Sequence, residues 1–363
     1  MSNNRIALYL VSFSGGGAER EMIYLANEFA ARGYIVDLIV HRNKGPLRKL
    51  ISNNVNQVII DKTYIHDVLA LARYMQKEKP VFILSTLHLP NWALSVAKFI
   101  SFTATKISWR IVISLSDSKK DGKGWITKFL KMCYPVFSLN VNKIICVSKG
   151  VADDLVSNFS ISTGRVRVMY NPAYSPEIHT LAKEDICHRW FNEEYKTVVS
   201  LGRLSTQKDF KTLILSFKEV YRSIDNARLV IFGEGILKND LQYFVDKLGL
   251  TDVVELFGFE INPYKYLAKA DLFVLSSIYE GFGNVIVEAL ALNIPVVSTN
   301  CPSGPSEILE NGKWGKLVEV GDESALALAI VASLASSTQQ DTLRRAEDFS
   351  VKKVVDRYVD MMM

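Results

Sequence analysis

Two rhythms of apolar and polar positions alternate along most of the chain. Short runs rich in Val, Ile, Leu and Phe read as strands buried on both faces, at Arg5–Ser12, Ile35–His41, Val55–Ile60, Val81–Ser85, Arg110–Leu115, Lys143–Val147 and Val166–Tyr170. Between them the apolar residues return every three to four positions, which predicts helices at Glu19–Arg32, Ile65–Lys77 and Trp92–Phe102. A second series opens at Lys196–Leu201 and continues through Arg228–Phe232, Val253–Phe257, Leu272–Ser276 and Pro295–Thr299. Its helices fall at Phe210–Arg222, Leu237–Leu248, Val285–Leu292 and Glu323–Leu334. Strands alternating with helices imply an α/β protein of parallel sheets covered by helices, and exclude all-α and all-β folds.

The two series are separated by Asn171-Pro172-Ala173-Tyr174-Ser175-Pro176, whose two prolines can continue neither a helix nor a central strand. The sequence therefore predicts an N-terminal domain over 1–172 and a C-terminal domain over 173–349. The tail 350–363 carries Val351, Val354, Val355, Tyr358, Val359 and Met362 on one stripe, a last helix expected to pack on a domain, the N-terminal one included. A length of 363 residues suits two domains.

The net charge of +5 hides a division: residues up to Pro172 hold 23 basic and 11 acidic side chains, the rest 20 and 27. Balances of +12 and −7 suggest that the first half faces something anionic. Four scattered cysteines, Cys133, Cys146, Cys187 and Cys301, form no disulfide or zinc pattern, so a reducing cytosol is expected. The apolar run Ile6–Phe13 leads into glycines rather than a cleavage site, and Pro90–Trp109 is broken by Lys98 and Lys106. Neither a signal peptide nor a spanning helix of about 18 apolar residues is expected.

Three loops carry candidate chemistry. In Ser14-Gly15-Gly16-Gly17-Ala18-Glu19-Arg20, glycines between a strand and a helix let backbone amides approach a phosphate. As a dinucleotide fingerprint the loop fails: its third position is Arg20, and Asp37, the nearest acid at the right distance, lies inside the second strand. This disfavours an NAD-dependent oxidoreductase. The second loop runs from Ser276 to Leu290 and contains Glu280-Gly281-Phe282-Gly283-Asn284-Val285, then Glu288. Asn284 is suited to cap the helix, the carboxylates can accept from sugar and ribose hydroxyls, and the loop amides favour a diphosphate. The third, Gly202-Arg203 to Lys208, offers two cations at the end of the first strand of the second series.

Taken in order, Gly15-Gly16-Gly17-Ala18-Glu19, Gly202-Arg203 with Lys208, Gly233-Glu234-Gly235, Gly258-Phe259 and Glu280 with Glu288 resemble the retaining glycosyltransferases of family 4. The resemblance implies a GT-B fold, two Rossmann-like domains facing a central cleft. It also implies that Glu280 meets the donor sugar and Glu288 the ribose, while Arg203 and Lys208 stabilise the departing diphosphate. Gly16, Gly17, Gly202, Gly281, Phe282, Gly283, Asn284 and Val285 would complete the donor site. It implies same-face attack, in which the leaving phosphate accepts the acceptor's proton. No metal or other cofactor is expected, since cations and amides already face the growing charge and no Asp-x-Asp pair is present.

Many family members have a histidine after the strand that here leads to Ser116-Asp117; His88, after the preceding strand, or Asp117 is the candidate substitute as a sugar or acceptor contact. The segment Ser298–Ile308, with Cys301 a packing residue, resembles transferases that use UDP-sugars to build surface polysaccharides or lipid-linked oligosaccharides. Residues 98–149 hold ten basic residues against Asp117 and Asp121, interleaved with aromatics, which suits an anionic membrane surface beside a polyprenyl-diphosphate-linked acceptor. Nucleic acid is disfavoured by the lack of a recognition motif. The resulting expectation is a metal-independent retaining hexosyltransferase on the cytoplasmic face of a membrane. The alternatives are a sugar-nucleotide epimerase of the same architecture and a non-catalytic nucleotide-sugar-binding protein.

Overall fold

A computed structural model describes residues 4–14, 16–60, 63–116, 124–336 and 340–362. The chain divides into two compact units, one of residues 1–172 with 351–363, the other Ala173–Ser350.

Unit 1 is built on seven parallel strands, β1 (Arg5–Leu10), β2 (Ile35–Val40), β3 (Val55–Ile59), β4 (Phe82–Thr86), β5 (Lys106–Ile111), β6 (Lys143–Cys146) and β7 (Val166–Val168). Their order is β3-β2-β1-β4-β5-β6-β7. Helices α1 (Gly17–Ala31), α2 (Tyr64–Glu78), α3 (His88–Ser101), α4 (Gly124–Phe137) and α5 (Lys149–Phe159) connect them. Burial of β1 and β4 on both faces explains their unbroken apolar reading. One core joins Ile6, Leu8 and Leu10 of β1 to Met22, Leu25 and Phe29 of α1.

The observed β5 begins four residues before the strand expected at Arg110–Leu115. Ser108 and Arg110 are buried within it, so polar residues occupy a central strand and break the apolar run. Arg110 ion-pairs with Glu21 of α1 and donates to Asn171 Oδ1 at 2.6 Å. Asn171 in turn donates to Glu21 Oε1 at 2.8 Å. This buried network ties β5 to α1 and to the segment that leaves the unit.

Unit 2 has six parallel strands, β8 (Lys196–Leu201), β9 (Ala227–Phe232), β10 (Val254–Gly258), β11 (Leu272–Leu275), β12 (Val296–Thr299) and β13 (Lys316–Val318), in the order β10-β9-β8-β11-β12-β13. Its helices are α6 (Glu177–Leu181), α7 (Phe210–Ser223), α8 (Lys238–Lys247), α9 (Tyr264–Leu267), α10 (Asn284–Ala291), α11 (Pro305–Ile308), α12 (Glu323–Leu334) and α13 (Leu343–Ala346). Phe210, Leu213 and Phe217 of α7 and Leu326 and Ile330 of α12 cover one face of the sheet. The last helix, α14 (Val351–Met362), belongs to unit 1, where Val354, Val355 and Tyr358 join the α1 core and Arg32 reaches Asp356 at 2.6 Å.

Strand order reverses in each sheet beside its first strand, between β1 and β4 and between β8 and β11. In open parallel sheets ligands bind beyond the carboxyl ends of the strands at such reversals. The glycine loop follows β1, His88 follows β4, Gly202–Lys208 follows β8 and Glu280–Val285 follows β11, so all the described candidate residues cluster at these two points.

Candidate active site

In unit 2 the loops after β8 and β11 are stitched together. Ile278 donates its amide to Gln207 O at 2.8 Å, the Gln207 side chain donates to Tyr279 O at 3.0 Å, and Ser276 Oγ donates to Lys208 O at 2.7 Å. This brings Lys208 Nζ to 2.5 Å from Glu280 Oε1, and Ser277 Oγ donates to the same oxygen at 2.6 Å. Gly202 leaves room for this reach, since a Cβ at that position would lie 3.1 Å from Lys208 Cε and press on the stem that carries the ammonium across. Arg203 is exposed, and its guanidinium forms no ion pair among the described residues.

Asn284 does not cap α10. It is the first helical residue, and Gly283 holds the cap position at φ 102°, a left-handed conformation that favours glycine. The ring of Phe282 is buried against Phe349, so only its backbone is available to a ligand. Gly281 is buried, while Asn284 and Val285 are half-buried on the first turn of α10. Glu288, on the same helix, accepts from Tyr264 Oη of α9 at 3.2 Å. Cys301 is buried, and burial together with the nearby Glu280 charge pushes its thiol up to about 12, which makes it a neutral packing residue.

In unit 1, Gly16 precedes α1 and Gly17 opens it, so this loop presents the helix amides at the end of β1. Asp37 is occupied elsewhere: it accepts from Arg5 at 2.6 Å, from Asn56 at 2.9 Å and from Tyr74 Oη at 2.5 Å. It is thus not free for a dinucleotide ribose. His88 opens α3 behind Leu87, whose φ is 72°, and its Nδ1 lies 2.5 Å from Tyr134 Oη of α4. Burial lowers His88 to about 4 and raises Tyr134 well above the ordinary phenol range. The contact is therefore a hydrogen bond between a phenol that keeps its proton and a neutral imidazole. Gly15 and Asp117 lie outside the described residues.

The structure thus joins Gly202, Lys208 and Glu280 directly, with Arg203 on the same loop and Glu288 on the helix that follows. Gly16, Gly17 and His88 belong to the other unit. Ser277, Tyr264 and Tyr134 are partners that no sequence motif marks. Among the described residues no group of three His, Cys, Asp or Glu side chains is placed to hold a metal ion.

The family profile described as Glycosyltransferase Family 4 matches residues 15–173, and the one described as Glycosyl transferases group 1 matches residues 184–348. A Campylobacter jejuni relative is 35% identical over 262 residues, 72% of this chain and 67% of its own length. It is named N-acetylgalactosamine-N,N'-diacetylbacillosaminyl-diphospho-undecaprenol 4-alpha-N-acetylgalactosaminyltransferase. This chain belongs to glycosyltransferase family 4. Another relative of this family 4 chain, the lipopolysaccharide core biosynthesis glycosyltransferase LpsE of Rhizobium meliloti, is 27% identical over 96% of both chains. Anabaena HepE, solved with UDP and glucose, superposes with a TM-score of 0.80 over 99% of both chains at 19% identity, which shows the GT-B fold.

Proposed function

We propose that this family 4 glycosyltransferase moves a hexose or N-acetylhexosamine from a UDP-sugar to a lipid-linked or polysaccharide acceptor with retention of configuration. The observation that carries the reading is the joined pair Lys208–Glu280, with Arg203 on the same loop, at the strand-order reversal of unit 2. Cleavage of the anomeric C–O bond leaves charge on the β-phosphate. Arg203 and Lys208 supply fixed positive charge for it, and the α10 N-terminus supplies amides, so the step needs no metal ion. Glu280 orients the sugar and Glu288 the ribose. Attack comes from the face the diphosphate leaves, and a phosphate oxygen takes the acceptor's proton. The Campylobacter relative's diphospho-undecaprenol acceptor and the UDP bound by HepE support these substrate classes. No helix among the described residues is long and apolar enough to cross a membrane. The reading has the enzyme act at the cytoplasmic membrane face, where a lipid-linked acceptor would be held, with residues 98–149 as the candidate contact.

A panel of UDP-sugars assayed with an undecaprenyl-diphosphate-linked glycan tests this. One donor should give an α-linked product, and Arg203→Ala should lower the rate at least about tenfold, a loss of roughly 1.4 kcal/mol of transition-state stabilisation. Release of free epimerised sugar without acceptor, or full activity in Arg203→Ala, would overturn it.

A further inference from the structure

The residues that follow β11 are anchored on both sides. Toward β8, Ser276 Oγ reaches Lys208 O, the Ile278 amide reaches Gln207 O, and the Gln207 side chain returns to Tyr279 O. Toward β12, Thr299 Oγ1 donates to Ser277 O at 2.6 Å and the Glu280 amide donates to Pro302 O at 3.4 Å. Ser277 is completely buried between these anchors, and its own hydroxyl donates to Glu280 Oε1 at 2.6 Å.

The Glu280 carboxylate is satisfied unevenly. An ionised carboxylate offers about four acceptor positions over its two oxygens. Ser277 Oγ and Lys208 Nζ both go to Oε1, at 2.6 and 2.5 Å, and no hydrogen bond reaches Oε2 among the described residues. The two donors differ in kind. The lysine carries its charge at the end of a flexible four-carbon stem and can turn toward a competing anion. The serine hydroxyl stands one carbon from a backbone that Thr299 holds, and it carries no charge for an anion to draw away. Lys208 is thus the movable partner of Glu280 and Ser277 the fixed one.

From this division we infer that Ser277 is the positioning residue for Glu280: its hydroxyl holds Oε1 in place when a diphosphate engages Lys208, leaving Oε2 to accept from a hydroxyl of the donor sugar. Ser277 touches neither sugar nor phosphate in this arrangement and acts only through Glu280. Without that hydroxyl, the one partner of a nearly buried carboxylate would be shared with the ligand, and the side chain would lose the second hydrogen bond that locks its rotamer. The inference deepens, and rests on, the reading of a sugar-nucleotide donor at this site.

Calorimetric titration of the full chain with UDP and with the UDP-sugar that the wild type binds most tightly tests it. Ser277→Ala should weaken the UDP-sugar about tenfold, the loss of one hydrogen bond to a charged group, and leave UDP, which has no sugar for Glu280 to orient, within about twofold. Ser277→Cys keeps a weaker donor in nearly the same space and should fall between the two. Adding Ser277→Ala to Glu280→Ala should weaken the UDP-sugar no further than Glu280→Ala alone. A circular dichroism spectrum like that of the wild type shows that each variant folds. Wild-type affinity for the UDP-sugar in Ser277→Ala, UDP affinity that falls in step with it, or a further loss in the double variant would overturn the inference and leave the transferase reading standing. A wild type that binds no UDP-sugar would overturn that reading, and the inference with it.

Discussion

Replacing Glu280 by Gln separates its chemistry from its packing. Lys208 Nζ lies 2.5 Å from Glu280 Oε1, and the two side chains are 16% and 9% exposed. Unit charges about 4 Å apart attract by roughly 4 kcal/mol at an effective dielectric of about 20. Breaking a buried pair costs about 3–5 kcal/mol, but the amide keeps an acceptor for Ser277 Oγ and for Lys208, leaving a loss of about 1–2 kcal/mol. The melting transition of unit 2 should fall by about 2–8 °C. A nucleoside diphosphate, however, competes with the Glu280 carboxylate for Lys208. Removing that charge should tighten UDP binding by up to about tenfold, near 1.4 kcal/mol, while transfer falls about tenfold or more. Calorimetric titration with UDP, scanning calorimetry and the transfer assay read these three effects. Local damage would weaken binding and turnover together. UDP binding that falls in step with turnover would therefore refute the reasoning, and unchanged turnover would remove Glu280 from the site.

Two further outcomes follow from unit 1. Arg110→Met leaves Glu21 charged within the core and should cost about 3–5 kcal/mol in urea denaturation, most of it recovered in Arg110→Met/Glu21→Met; equal losses in both variants would refute the pairing. His88, held down to about 4 by burial, binds fewer protons folded than unfolded between about pH 4 and 6.5, so its contribution to stability is present above that window and lost as pH falls through it. The unit 1 melting temperature should drop across that interval, His88→Gln should flatten the drop, and an NMR titration of His88 with a midpoint near 6.5 would contradict the assignment.

Strands buried on both faces were legible because their apolar runs are continuous, as in β1, β4, β8 and β11. The strand β13 was not, since three residues, one exposed and two half-buried, leave no period to read. The shift of β5 has a different cause. Arg110 looks like a strand boundary in sequence, yet it is tolerated in the middle of a sheet because Glu21 lies 89 residues away in the chain and adjacent in the fold. The candidate site divides in the same way. Glycines and paired carboxylates stand out as local patterns, so Gly202, Glu280 and Glu288 could be named. The contacts that set their geometry join Lys208 to Glu280 across 72 residues and Tyr264 to Glu288 across 24, which no local pattern carries. Asn284 misled for a local reason, because a good capping residue lost its place to a glycine that alone accepts the φ of 102°.

The structure also changes what the charge division means. The tail helix belongs to unit 1 and brings three basic and two acidic residues with it, which moves that unit from +12 to +13 and leaves −8 for Ala173–Ser350. The proposed diphosphate site thus sits in the acidic unit, against the sign of the whole. Screening resolves the conflict: beyond about 8–10 Å exposed charges scarcely act at physiological salt, so a ligand responds to the groups that touch it. In the proposed unit 2 site those would be Arg203, Lys208 and the amides of α10, with Glu280 paired to Lys208 in the structure described. In unit 1 some of the described cations are engaged locally, Arg110 with buried Glu21 and Lys98 with Thr103 O. Net charge per domain therefore says less about the proposed donor than the few side chains at a strand-order reversal.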